Sequence, residues 1–267
     1  MTPEKIRFAR LVGAAATATF GAIALGGWGV QAVAAQHRAT GIASLPASAI
    51  LTRSAAALAH ENAIAITGSM NLGPETIVLS VRSTSRGAKV AGDIDIKSGA
   101  TNSGAVHFVD VGGNVYLEAA APFWRQEMAS SVSSAPAGAV ETAVLSKLAG
   151  HWIEIGGAEA KSFSSGFGGL TEPGKFAQGL LTGNGKLTKG APRVLRGRRV
   201  LPIASSAGGT IYVSLSGAPL PRGIVGTQIA GGKRVSADVA FSYPTSLAIT
   251  PPSGALTLSQ IVRSLLG

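Results

Sequence analysis

The stretch AIAITGSMNL, residues 63–72, decides the fold because its apolar side chains recur with a period of two. Ile64, Ile66 and Met70 alternate with small or polar residues, which is typical of a β-strand with one buried face. The same period returns in four further stretches up to Leu117, separated by short turn signals. Five strands with such short connections predict an antiparallel meander.

The apolar positions of these strands form the predicted inner face of the sheet. Alternate side chains of a strand point to the same side, so these residues are expected to face inward together. Two interpretations stay open: the residues pack completely as a core, or the packing against helices is incomplete and they line an apolar cavity. They are Ile64, Ile66, Met70, Ile77, Leu79, Val81, Ile94, Ile96, Val106, Phe108, Val115 and Leu117.

Helical patterns flank the meander. Pro46 suits a first helical turn, and apolar residues follow at three- and four-residue spacings to about residue 62. One or two helical pieces are predicted within residues 122–149, and residues 150–155 return to an extended pattern. Residues 156–172 are rich in Gly and Ser and are expected to form a mobile surface loop. A short helix is expected at 176–181.

A second set of alternating segments predicts five more strands, and a closing helix is expected at 257–266. The order of helix, strands, helices and strands predicts an α+β fold. In it, one large curved antiparallel sheet, an incomplete barrel, wraps over helices packed on one face. Residues 46–267 are expected to form a single domain. The strands are expected at about 185–190, 194–204, 210–216, 222–230 and 233–242.

Residues 1–34 have the pattern of a membrane-targeting segment. An uncharged run from Leu11 to Gln36 follows a basic start and contains an A-x-A exit that ends at Ala34. A basic start, an apolar middle and small residues at the exit indicate a secretory signal cleaved after Ala34. Residues 35–45 are expected to be a linker. The basic residues of the start are Lys5, Arg7 and Arg10.

An uncleaved membrane anchor is the alternative for this segment. Roughly 20 apolar residues are enough to span a bilayer as a helix. The basic residues would then keep the N-terminal end in the cytoplasm. In both cases the rest of the chain is expected outside the cytoplasm, in the periplasm or cell envelope, or secreted.

The chain has no cysteine, which excludes disulfides, thiolate metal sites and a lipid attached through an N-terminal Cys. Its formal charge is +10, and loss of residues 1–34 removes three cations and one carboxylate and leaves +8. A basic exported protein is expected near anionic lipid or anionic wall polymer. The densest basic cluster contains no aromatic residue for base stacking, so nucleic acid is not a predicted partner. The cluster consists of Arg193, Arg196, Arg198 and Arg199.

Catalytic patterns are weak in this sequence. The four histidines are scattered, and none is three or four residues from another, as a compact metal site would favour. His107 is expected to face outward, and His151, beside Trp152, is the better candidate for a functional histidine. Asp93 and Asp95 alternate with apolar residues as solvent-facing strand residues do. No G-x-S-x-G elbow or phosphate loop is present, so no catalytic, metal or cofactor residue is assigned.

Several segments, taken in order, resemble a known family. They read AIAITGSMNL, AGDIDIKSGA, VHFVDVGGNVYLEAAAPFWRQ, LAGHWIEI, RVLPIASSAGGTIYVSLSGAPLPRGI and ADVAFSYPTSLAITPP. The chain resembles the LppX and LprG lipoproteins of mycobacteria, whose fold is shared with the lipoprotein carriers LolA and LolB. The resemblance covers roughly residues 46–253 and rests on the order of the segments.

The resemblance implies a sheet wrapped over helices around an apolar cavity that receives the acyl chains of a lipid or glycolipid. Proteins of this family are non-enzymatic carriers that move lipids through the cell envelope. One departure matters: the family's lipobox ends in Cys, whereas the exit here reads Ala-Val-Ala-Ala-Gln. A lipid anchor is therefore not expected.

The expected function is a non-enzymatic carrier of acylated lipid or lipoglycan in the cell envelope. Its expected partners are the lipid, the membrane or envelope, and a membrane transporter, and the chain is expected to be a monomer. The alternative is a structural or interaction module that binds anionic wall polymer or a membrane complex.

Overall fold

The computed structural model describes residues 41–72, 75–84, 89–98, 101–131, 138–166, 185–206, 208–230 and 233–266. The predicted targeting segment and the helix expected at 176–181 lie outside these ranges. Within them, every helix is too short or too polar to cross a lipid bilayer.

Five α-helices lie in the described residues. Pro46, with φ −58°, precedes the first helix, whose buried side includes Ile50, Leu51 and Leu58. A short 3-10 turn, Ile42–Ser44, precedes this helix. The helices are α1 (Ala47–Ala59), α2 (Ala121–Ser131), α3 (Ala139–Leu148), α4 (Gly157–Gly166) and α5 (Leu258–Leu266).

Thirteen strands in the described residues form one sheet. Their order is β13-β6-β5-β4-β3-β2-β1-β12-β11-β10-β9-β7, with β8 paired to β9. Neighbours are antiparallel except β13 and β6, and the sheet does not close into a barrel. The strands are β1 (Ala63–Leu72), β2 (Glu75–Thr84), β3 (Lys89–Ser98), β4 (Thr101–Val111), β5 (Asn114–Ala119), β6 (Ile153–Ile155), β7 (Leu187–Lys189), β8 (Arg193–Leu195), β9 (Arg198–Ser205), β10 (Thr210–Ser214), β11 (Pro221–Ala230), β12 (Lys233–Ser242) and β13 (Leu256–Thr257).

The predicted meander and α+β architecture are confirmed. Strands β1 to β5 pair consecutively, as the period-two stretches predicted. The second half of the chain completes the same sheet because β12 pairs with β1. This pairing joins the two halves of the sequence along one continuous surface.

The single strand predicted at 194–204 is wrong, because a hairpin divides it. Arg196 and Gly197 have φ values of 49° and 76° and connect β8 to β9. A two-residue turn with both φ values positive suits the twist of a β-hairpin, and it usually carries Asn-Gly or Gly-Gly. Arg196 is not typical of such a turn, so the sequence predicted one continuous strand.

The mobile loop predicted at 156–172 is also wrong over its first part, because residues 157–166 form α4. Ala160 and Phe163 lie three residues apart on this helix, and both are buried. Most helical stability in proteins comes from packing an apolar face and not from helix propensity. Packing of these two side chains therefore accounts for a helix in a Gly- and Ser-rich segment.

Two strand glycines, Gly68 and Gly92, let neighbouring backbones approach closely. A Cβ atom on Gly92 would lie 2.5 Å from the carbonyl oxygen of Ser80 and 3.0 Å from Cα of Val81. A Cβ atom on Gly68 would meet the carbonyl oxygen of Asp238. Glycine inside a strand is typical of such close approaches and of tight bends.

Candidate functional site

The twelve residues predicted to face inward share one face of the sheet. Met70 lies opposite Ile77, and Ile77 lies opposite Ile96 on the next strand. Two residues along β3, Ile94 lies opposite Leu79 on β2 and opposite Val106 on β4. Because side chains alternate along each strand, the register carries the same face across all five strands. We call this surface the inner face.

Most of the inner face is shielded from solvent. Ile94 and Ile96 are half-buried, and Ile94 packs against the main hydrophobic cluster. The remaining predicted residues are buried: Ile64, Ile66, Met70, Ile77, Leu79, Val81, Val106, Phe108, Val115 and Leu117.

The second half of the chain extends this face with residues that were not among the predicted site residues. Phe241 and Val239 lie opposite Ile66 and Gly68 and are buried. The alternation along β10 and β12 was visible in the sequence. The sequence did not show that these strands share a face with β1, because that depends on the pairing of β1 with β12. Further buried residues of this face are Ile153, Ile155, Leu201, Ile203, Ile211 and Val213.

The helices make their main contacts with the two flanks of the sheet. On one flank α2 packs on β4, α4 on β5, and α5 on β6 and β13; on the other, α1 packs on β7 and β10. The central strands β1 to β3, β11 and β12 lie between these flanks. Among the described residues, the apolar inner face is therefore continuous beneath both groups of helices.

Trp124, in the Phe-Trp pair of α2, fixes that helix to the sheet. Its side chain is fully buried, and its Nε1 donates a hydrogen bond to the carbonyl oxygen of Ala119 at 3.1 Å. Phe123 packs edge to face against it, with 5.3 Å between ring centres. This pair lies in the first turn of α2, shortly after β5, so its role in the structure is to anchor the helix.

Asp110 is a charged residue on an otherwise apolar part of the inner face. It lies opposite Val90 and Val115 and is buried. Burial raises the pKa of its carboxyl group, and a side-chain hydrogen bond with Ser164 of α4 opposes that shift in pKa. The hydrogen bond links β4 to the helix that covers it.

The outer face carries the polar residues that the sequence placed there. His107 faces outward as predicted, and its Nδ1 lies 2.5 Å from Oδ1 of Asp93 on the neighbouring strand. Asp95 lies on the same face, opposite exposed Val78, and pairs with Lys97 at 3.4 Å. Both aspartates therefore lie on the outer side of β3, although Asp95 is less exposed than Asp93.

His151 is exposed, and its Nδ1 lies 3.0 Å from the carbonyl oxygen of Ala149. It therefore stands apart from the outer-face pair of His107 and Asp93. Among the described residues, no three His, Asp or Glu side chains come together as a metal site would require.

Two arginines of the basic cluster are bound to the outer face of the sheet. The guanidinium carbon of Arg193 lies 4.5 Å from the centre of the Tyr212 ring. Arg196 forms an ion pair with Asp238 at 2.7 Å. Arg198 and Arg199, on β9, are exposed. The cluster thus combines two arginines that fix the β8–β9 hairpin with two that face solvent.

No family model and no curated protein matches this chain. Solved structures do match it. The chain is similar to LprF from Mycobacterium bovis at 14% identity, over 78% of this chain and 97% of that one, with a TM-score of 0.52. The Mycobacterium tuberculosis lipoprotein LppX matches at 14% identity over 76% and 98% of the two chains, with a TM-score of 0.46. An uncharacterised Thermus thermophilus protein matches at 12% identity over 79% and 98%, with a TM-score of 0.36.

The similarity to LprF confirms the expected fold, a large sheet that is not closed into a barrel, with a few helices. At this identity the comparison shows the fold alone.

Proposed function

We propose that this protein is a non-enzymatic carrier that holds the acyl chains of a lipid or lipoglycan against the inner face. The observation that carries the proposal is the continuity of that face across the central strands, between helices that pack on its two flanks. Apolar pockets with few polar groups are typical of ligand sites. The twelve residues predicted from the sequence form the proposed lining.

The energetics support an acyl ligand. Burying a methylene group contributes about 0.8 kcal/mol, so a chain of about ten carbons contributes several kcal/mol without any hydrogen bond. An unfilled apolar cavity costs roughly 20 cal/mol per Å² of its surface, so a cavity of this kind is more stable when it is filled. A sharp polar motif is therefore not needed for binding.

The fold and the family resemblance support the same function. The chain has the fold of LprF. It also resembles a family of envelope lipid carriers through the ordered segments described above. We propose that the chain is exported and works as a monomer between a membrane or a membrane transporter and the envelope. Because the sequence has no cysteine, the proposed carrier does not depend on a lipid anchor of the family's type.

A second candidate function is binding to anionic wall polymer. It is favoured by the exposed cations Arg198 and Arg199 at the start of β9. A basic surface attracts anionic polymer, and the attraction weakens with salt. In this case the inner face serves as an ordinary core.

Native mass spectrometry of the exported protein tests the two functions. The carrier function predicts bound species whose masses match acylated lipids, retained through purification. Protein that is repeatedly free of lipid and takes up none from phospholipid micelles would overturn it. Salt-sensitive binding to isolated wall polymer by that same lipid-free protein would establish the second function.

A further inference from the structure

We propose that Arg222, assisted by Arg198, binds the anionic head group of the carried lipid. The inference rests on the proposed carrier function and assigns a chemical class, phosphate or a similar anion, to the polar end of the ligand. Arginine is suited to this because its planar guanidinium donates paired hydrogen bonds to phosphate oxygens.

Arg222 lies at the boundary of the inner face. Gly223 pairs with Ala240, so Arg222 lies beside Phe241, a buried residue of that face. Its guanidinium carbon is 5.3 Å from the centre of the Tyr243 ring. That ring packs against the main hydrophobic cluster. A lipid whose acyl chains lie on the inner face could therefore place its head group at Arg222.

The backbone at this point holds the arginine in position. The register between β10 and β11 shifts beside Arg222, between Tyr212 and Val213. The hydroxyl of Tyr243 donates a hydrogen bond to the carbonyl oxygen of Pro221 at 2.6 Å. Burial raises the pKa of this phenol, so it remains an uncharged donor at neutral pH. Tyr243 therefore fixes β11 at Pro221, and the guanidinium of Arg222 lies over the ring of Tyr243.

The charges around Arg222 are unbalanced in favour of an anion. The charged groups that act on it are Arg198 and Glu61, so the cluster has two cations and one carboxylate. Burial lowers the pKa of Arg222, and the positive charge of Arg198 lowers it further. Nε of Arg222 is buried and has no hydrogen-bond partner among the described residues. A bound phosphate would supply the missing acceptor and balance the charge.

The test compares two lipids with identical acyl chains, phosphatidylglycerol and diacylglycerol, presented in micelles to the exported protein. Loading is counted by native mass spectrometry. The wild-type protein is expected to prefer phosphatidylglycerol on the order of tenfold, the fold-change for one charge-assisted hydrogen bond. Arg222→Gln should bring the ratio near one and leave diacylglycerol loading unchanged. Arg199→Gln removes the same charge from an exposed position and should keep the preference.

The outcomes separate the two levels of the proposal. Failure to load either lipid would count against the carrier function itself. Equal loading of both lipids by the wild-type protein, or a preference that survives Arg222→Gln, would overturn only the head-group site. If Arg222→Gln does not fold, Arg198→Gln at an exposed position takes its place, and an undiminished preference again overturns the site. Inorganic phosphate alone should bind far more weakly than phosphatidylglycerol, because it lacks the acyl chains that contact the inner face; phosphate that binds as tightly as the lipid would assign the site to free anions and overturn the head-group site.

Discussion

The rings of Phe108 and Phe163 meet edge to face with 5.7 Å between their centres, and this contact joins β4 to α4. Both side chains are buried. Phe163→Ala is expected to lower the free energy of unfolding by about 3–5 kcal/mol, because it removes a buried ring and leaves a cavity. Chemical denaturation measures this change.

Lys161→Ala provides the control, because Lys161 is exposed on the same helix. Its effect is expected within about 0.5 kcal/mol of zero. A loss below about 1 kcal/mol in Phe163→Ala would show that α4 is not part of the core, since core truncations cost more.

The helix that presents Phe163 could not be predicted from composition. Its sequence, GAEAKSFSSG, has helix formers only from Ala158 to Lys161, continues with three serines in the next four residues, and has Gly at both ends. The spacing of Ala160 and Phe163 indicates a helix only when β4 and β5 are known to lie beneath these residues. The meander, by contrast, was readable because each strand has a local period of two.

Leu79→Trp tests the assignment of the inner face. Leu79 is buried in a central strand, so a larger side chain there would occupy the space proposed for acyl chains. We expect lipid loading to fall severalfold in native mass spectrometry, and circular dichroism should confirm that the variant is folded. Adjacent Val78 points to the outer face and is 42% exposed, so Val78→Trp should load as the wild type does. Equal loading by Leu79→Trp and the wild type would contradict the proposed lining.

Gly92→Ala tests the close approach of β2 and β3. A Cβ atom there would lie 2.5 Å from the carbonyl oxygen of Ser80, so the strands would have to separate. Overpacking of this kind costs about 1–3 kcal/mol in the free energy of unfolding, measured by denaturation. Gly156→Ala is the matched control, because its Cβ atom would make an ordinary contact at 3.4 Å with Oδ1 of Asn114. If both variants are equally stable, Gly92 is not required for strand approach.

Sequence patterns could not predict the proposed head-group site. Glu61, Arg222 and Tyr243 are far apart in the chain, and no short motif contains them. They come together because β1 pairs with β12 and β12 pairs with β11, a strand order that alternation does not specify. The apolar lining of β1 to β5 was predictable because consecutive strands of a meander share a face through short turns.

Asp110→Asn tests the buried carboxyl group through the pH dependence of stability. Burial raises the pKa of Asp110 in the folded protein above its ordinary value of 3.8. In the window between these two values the folded state binds more protons than the unfolded state, so stability falls as pH rises through it. The wild type should therefore gain stability relative to Asp110→Asn as pH falls from 7 toward 4 in thermal melts. Ser164→Ala, which removes the hydrogen bond that opposes the shift in pKa, should move this gain to higher pH. Parallel melting curves for the wild type and Asp110→Asn would contradict a raised pKa, because the other titrating groups are common to both proteins.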